Sequence, residues 1–139
     1  MIKVMAGDRG SGKTKTLIDN VNSASAVSNG HVVCLEWGDK LRFDISCHVR
    51  LVDVQEYGIS SAQKLYGFIT GILASNYDVT DLFIDSALKM CGEDADTQKA
   101  LVEVLDKVAP MIEEHGVKCF ITASVPVEKI IPELLAYTK

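Results

Sequence analysis

Five short apolar runs recur along the chain, with longer amphipathic stretches between them. The runs are Ile2-Lys3-Val4-Met5-Ala6, His31-Val32-Val33-Cys34-Leu35-Glu36, Val49 to Val54, Val79 to Asp85 and Val117 to Ala123. Each has strand length and is rich in β-branched residues, so each predicts a strand. The second is apolar without a break from Val32 to Leu35, the pattern of a strand buried on both faces. The third mixes Arg50 and Asp53 among its apolar residues, which predicts an edge.

Helical spacing fills the gaps. Leu17, Ile18, Val21 and Ala24 predict a helix from about Lys13 to Val27, ended by Ser28-Asn29-Gly30, with Gly30 suited to a left-handed cap. Ala62, Leu65, Phe68, Ile69, Ile72 and Leu73 make the stripe of a second helix, capped by Ser60 or Ser61. Gly67 and Gly71 weaken that helix unless another backbone packs close there. Leu101, Leu105, Val108 and Ile112 predict a third helix from about Thr97 to His115, which Pro110 should kink or interrupt and Gly116 should end. Residues 41–48 follow neither period and are open to a short helix or a loop. Residues 87–96, with Gly92 and several acids, predict a mobile surface loop. The tail from Val127 to Tyr137 carries Ile130, Ile131, Leu134 and Leu135 around Pro132, and reads as a short helix or a capping segment.

The order β-α-β-(loop)-β-α-β-α-β predicts a three-layer α/β fold: a mostly parallel five-stranded sheet with helices on both faces and right-handed crossovers. No repeat or linker divides the 139 residues, so one domain is expected over 1–139. In such a sheet a ligand lies beyond the C-terminal strand ends. The residues that fall at that edge are a glycine loop, Glu36, Asp85, and Thr122 with Ser124.

Charge and cysteine content narrow the choices. Fourteen basic against 19 acidic residues leave a net charge of −5, which argues against a dominant electrostatic grip on nucleic acid. Cys34, Cys47, Cys91 and Cys119 include no C-x-x-C pair, so no zinc site is expected, and Cys34 and Cys119 read as buried thiols. The first strand begins at once, and no apolar run approaches the ~18 residues of a membrane span. Neither secretion nor a membrane is expected; the predicted location is the cytoplasm.

The most specific feature is Gly7-Asp8-Arg9-Gly10-Ser11-Gly12-Lys13-Thr14, which fits G-x-x-x-x-G-K-[ST] between a strand and a helix. Phosphate oxygens must approach the backbone, and Gly7, Gly10 and Gly12 remove side chains and permit positive φ. Successive N–H groups then make an anion-binding hollow at a helix N-terminus. Residues 7–15, through Lys15, are the expected nucleotide-binding segment. Lys13 would reach the β- and γ-phosphates, and the Thr14 hydroxyl would ligate Mg²⁺. Arg9 would touch phosphate or a partner, while Asp8 is expected to point outward.

Two carboxylates complete the candidate chemistry. Asp85 closes an apolar strand and reads as the acid that holds Mg²⁺-bound water opposite Thr14; the plain reading is a capping acid. The next residue is Ser86, where many ATPases carry a catalytic glutamate. Glu36, at the end of the second strand, is placed to act as the general base, or else is a solvated loop acid paired with Lys40. Asp39 is a weaker candidate for the same work. One of Thr122 and Ser124 is expected to face the terminal phosphate or the water. Arg42 and Arg50 read as ordinary solvated arginines.

The arrangement resembles the core of RecA- and DnaB-like ATPases. Gly7 to Thr14, Cys34-Leu35-Glu36, Leu51-Val52-Asp53-Val54 with its following helix, and Leu82-Phe83-Ile84-Asp85-Ser86 carry the likeness. It implies the strand order 3-2-4-5-1 and a glutamate at position 36 that activates water. Thr122-Ala123-Ser124 stands where that group has its glutamine or similar sensor. The recombinases' DNA-binding loops and extra strands have no counterpart. The whole chain is also similar to short bacterial P-loop proteins labelled ATP-binding or PilT-like. The expected function is ATP binding with slow Mg²⁺-dependent hydrolysis, switched by a protein partner. Transfer of phosphate to a small molecule, and nucleotide-dependent assembly through the apolar tail, are the alternatives.

Overall fold

A computed structural model describes residues 1–92 and 96–139. Its strands are β1 (Ile2–Gly7), β2 (His31–Glu36), β3 (Arg50–Asp53), β4 (Val79–Ile84) and β5 (Lys118–Ser124). The helices are α1 (Lys13–Val27), α2 (Ala62–Ser75), the single turn α3 (Ala87–Met90), α4 (Thr97–His115) and the short α5 (Pro132–Leu135). All strand pairs are parallel, in the order β1-β5-β4-β2-β3. From the other edge this is 3-2-4-5-1, the order that the resemblance implied, and β3 is an edge strand as expected.

The alternation of side chains along β2 explains the three layers. Val32 and Cys34 face Leu17 and Val21 of α1, together with Leu41, Ile45 and Val49 from the segment after β2. Val33 and Leu35 face the larger core, built with Leu65, Ile69 and Leu73 of α2 and Leu101, Leu105, Val108 and Ile112 of α4. Residues 41–48 form turns rather than a helix, held by Asp44 N–H and Ile45 N–H on the Leu41 carbonyl at 2.9 and 3.1 Å.

Several expectations change. Gly30 is not left-handed; α1 ends at Ser28 in an extended conformation. A Cβ on Gly30 would instead lie 2.1 Å from the Asp78 carbonyl oxygen. Gly67 and Gly71 have nothing within 4 Å of a built Cβ, so no backbone packs there. Helix α4 runs through Pro110 without interruption and ends on Gly116 at φ 66°. Of the loop expected over 87–96, Ala87 to Met90 form α3, whose Ala87 and Met90 are fully buried; residues 93–95 lie outside the described residues. Ser61, not Ser60, caps α2 by accepting from Lys64 N–H at 3.2 Å.

The tail packs on its own domain. Leu134 is fully buried, Gln98 of α4 bonds both Lys129 and Ile131 backbones at 3.0 Å, and the Tyr137 hydroxyl donates to Asp106. The apolar residues proposed for assembly are therefore spent largely on this core. Among the described residues no helix is long and apolar enough to cross a membrane.

Candidate functional site

Strand register gathers the site. Gly7 is level with Ser124, Ile84 with Ile121 and with Leu35, and Glu36 with Asp53. The residues just past these pairs, Thr122, Asp85 and Glu36, thus stand side by side at the C-terminal edge. The chain between β1 and α1 closes over them.

That chain has the conformation its glycines allow. Gly10 and Gly12 have φ 83° and 88°, where L side chains are strained. Gly7 is not left-handed; it ends β1, and its carbonyl accepts from Val125 N–H at 2.9 Å. Helix α1 has no side-chain cap and no acid in its first turn. Its first amide donors are therefore not taken by a local carboxylate. Lys13 is buried and folds back onto its own loop, donating to the Asp8 carbonyl at 2.6 Å and to Ser11 Oγ at 3.3 Å. Burial lowers its pKa, against the raising pull of Asp8 and Asp85.

Beside Lys13, Thr14 Oγ1 donates to Asp85 Oδ1 at 3.4 Å. Asp85 is buried, and its Oδ1 also accepts from the Thr122 hydroxyl at 2.6 Å. Thr122 Oγ1 in turn accepts from Ser86 N–H at 2.9 Å. Ser86 has φ 63° and ψ 48°, and among the described residues it alone is left-handed without being glycine. Such a residue costs about 1–3 kcal/mol and persists where its surroundings hold it. The Asp85–Ser86 corner is clamped by Thr122, a link that depends on the β4–β5 register and has no local sequence signal.

Glu36 is also buried, at 3% exposure, rather than solvated. Its Oε1 accepts from the backbone N–H groups of Lys40 and Leu41 at 2.9 and 3.1 Å, so the pairing is with the backbone of Lys40, not its ammonium. Burial raises its pKa; the two N–H bonds oppose this, and Asp53 and Asp85 add to it.

These groups line a cavity of about 510 Å³. Arg9, Gly10, Gly12, Lys13, Thr14 and Lys15 reach it from the loop, with Glu36, Asp85 and Ser124 from the strand ends. Gly7, Asp8 and Ser11 are not part of its wall, and Asp8 is exposed as expected. Thr122 and Ser124 are two residues apart and so project alike; they differ in depth, Thr122 behind Asp85 and Ser124 at the wall. Sequence reasoning passed over Trp37 and Lys89, which also line it. Among the described residues of its wall, Arg9, Lys13, Lys15, Lys40 and Lys89 stand with the carboxylates of Glu36 and Asp85, in a chain whose net charge is −5.

The donor set suits Mg²⁺ bound with a polyphosphate. That ion takes hard oxygens and keeps several waters, so one hydroxyl and one carboxylate suffice from the protein. Thr14 and Asp85 offer them. Among the described residues no three of His, Cys, Asp and Glu converge, so a metal caged by such side chains alone does not fit.

No protein-family model and no curated protein matches the chain. Among solved structures, a KaiC-like protein of the hyperthermophilic archaeon Pyrococcus horikoshii OT3 matches with a TM-score of 0.56 at 17% identity. The match covers 94% of this chain and 63% of that one, so the chain spans less than two thirds of its neighbour's length. At this identity the likeness concerns architecture. The chain shares with that neighbour a three-layer α/β fold, here with an all-parallel sheet in the order 3-2-4-5-1.

Proposed function

We propose that the protein binds ATP with Mg²⁺ and hydrolyses it slowly, in the cytoplasm, under the control of a protein partner. The observation that carries this reading is the convergence of five cationic side chains and the Thr14–Asp85 pair on one cavity at the strand ends. The loop amides and Lys13 would hold the phosphates, and Lys13 would trade its present contact with the Asp8 carbonyl for phosphate oxygen. Thr14 and Asp85 would hold Mg²⁺, which when bound offsets the charge on the β- and γ-phosphates. Glu36 would take a proton from the water that attacks the γ-phosphorus as the bond to the β–γ bridging oxygen breaks.

The slow rate follows from the same carboxylate. Its Oε1 is committed to two backbone N–H groups of the following loop, which leaves one oxygen for the water. A partner that shifts residues 37–41 would release the other, which is a physical route to activation.

Equilibrium binding of ATP and GTP, each with and without Mg²⁺, tests the reading. Mg²⁺-dependent binding of ATP that is lost in Lys13→Ala is expected. No binding of either nucleotide at millimolar concentration would overturn it.

A further inference from the structure

Backbone bonding along β1 runs to one side only. Cys119 N–H donates to the Met1 carbonyl at 2.8 Å, and Val125 N–H donates to the Gly7 carbonyl at 2.9 Å. Bonding alternates by residue in a parallel ladder, so Lys3 and Met5 also bond toward β5. Ile2, Val4 and Ala6 therefore turn their N–H and C=O groups outward. β1 ends the sheet, and among the described residues no backbone group bonds to them there. The 3₁₀ turn Ala136–Thr138 lies beside β1 without pairing to it. Its polar side chains are engaged elsewhere, Tyr137 with Asp106 and Thr138 with the Leu135 carbonyl at 2.6 Å. Val4 keeps only 1% exposure, so its outward N–H and C=O have little access to water and no backbone partner. Folded proteins rarely leave such groups unpaired. We propose that the free edge of β1 is an interface between two copies of this chain, with β1 paired antiparallel to its counterpart about Val4.

The spacing of the outward groups selects the partner. Donors and acceptors two residues apart along an edge are matched by another extended strand, not by a helix or a small molecule. Among strands, β1 itself fits. A two-fold axis through Val4 sets Val4 opposite Val4 and Ile2 opposite Ala6, and every outward N–H and C=O then meets a partner. On the face that packs on the larger core, a large side chain thus stands opposite a small one. On the other face Lys3 stands opposite Met5, so like charges are not directly opposed, and the lysine stem lies along the thioether.

A groove of about 360 Å³ runs along this edge on the side of Thr16 and Phe120. Thr138 is also in its wall, so the turn 136–138 opposes the pairing and must swing aside for it. The pairing needs no nucleotide and is independent of the reading above.

Sedimentation velocity on the nucleotide-free full chain, with Tyr137→Phe beside the parent, reads the equilibrium. Concentration-dependent dimers are expected, and more readily in Tyr137→Phe, which frees the turn from Asp106. Met5 reports the register. Met5→Glu sets a carboxylate opposite Lys3 of the second copy, and Met5→Lys sets a second ammonium there. The first should tighten the dimer about three- to tenfold and the second should weaken it by a similar factor, while circular dichroism shows both folded. A role of Met5 in the fold of one copy alone would move both variants alike. Parent and Tyr137→Phe proteins that both stay monomeric at millimolar concentration overturn the proposal. So does a dimer to which Met5→Glu and Met5→Lys respond alike, since its interface then lies elsewhere.

Discussion

Glu36 holds a loop with one carboxylate oxygen, and the proposed function would have the same carboxylate accept a proton. Burial raises its pKa, so its charged form is the costly one in the folded protein. Its contribution to stability is greatest below the ordinary glutamate range and is lost as pH rises through its raised folded value. Glutamine offers the same amide-accepting oxygen without the charge. Glu36→Gln is therefore expected to match or exceed the parent in thermal stability at pH 7, with the difference shrinking as pH falls toward 4. The same change should abolish turnover, because the amide takes no proton. In the parent, the acid limb of the turnover profile should lie above the ordinary glutamate pKa. Undiminished hydrolysis in Glu36→Gln would remove Glu36 as base. Thr122 acts one step further back, through Asp85. Thr122→Val keeps the shape but leaves Ser86 N–H and Asp85 Oδ1 each short of a partner. The Mg²⁺ concentration for half-maximal nucleotide binding should rise by about 10–100-fold. Thr122→Ser should restore it, which a loss of packing alone does not explain.

At the level of elements, three glycines that look alike in sequence carry opposite expectations. Gly67 and Gly71 lie on exposed positions of α2 with open space around a Cβ. Alanine at each should stabilise by about 0.5–1 kcal/mol, since it removes backbone freedom from the unfolded chain and strains nothing. Gly30 sits where His31 N–H donates to the Asp78 carbonyl at 2.6 Å and opens the β2–β4 pairing. Alanine there should destabilise by about 3 kcal/mol or prevent folding, because backbone must move. Chemical denaturation of the three variants reads both signs. The same residues show what the sequence could tell. Strands were legible because each apolar run is local and of strand length. The glycine loop, Glu36 and Asp85 were legible because each closes such a run. Gly30 was misread because a glycine after a helix looks the same whether it serves a left-handed cap or a close approach from another strand. Leu41, Ile45 and Val49 come from a stretch with neither period, and they reach the core from turns. The Thr122–Asp85–Ser86 link and the meeting of Trp37 and Lys89 at one cavity depend on which strands are neighbours, which no local pattern records.

Across the whole molecule, the charge distribution decides how a ligand should act on stability. Five of the 14 basic residues crowd one cavity, so the remaining surface is more acidic than the net charge of −5 conveys. Lys13 is buried with a backbone carbonyl and a hydroxyl as its hydrogen-bond partners, and burial already disfavours its charge. A bound polyphosphate would add opposing charge to that of Asp8 and Asp85, which burial outweighs in the native fold. Binding to the folded state alone at a hundredfold excess over Kd stabilises by about 2.7 kcal/mol, roughly 8 °C in Tm for a domain of this size. Mg·ATP is expected to give a shift of that order. Lys13→Ala should lose the shift while melting within a few degrees of the parent, since the exchange removes a strained charge along with its hydrogen bonds. Because the attraction gathers several cations around one anion, raising salt should reduce the shift in the parent. A shift unaffected by both Lys13→Ala and salt would mean that the nucleotide binds elsewhere, and the convergence at the strand ends would then have to serve another anion.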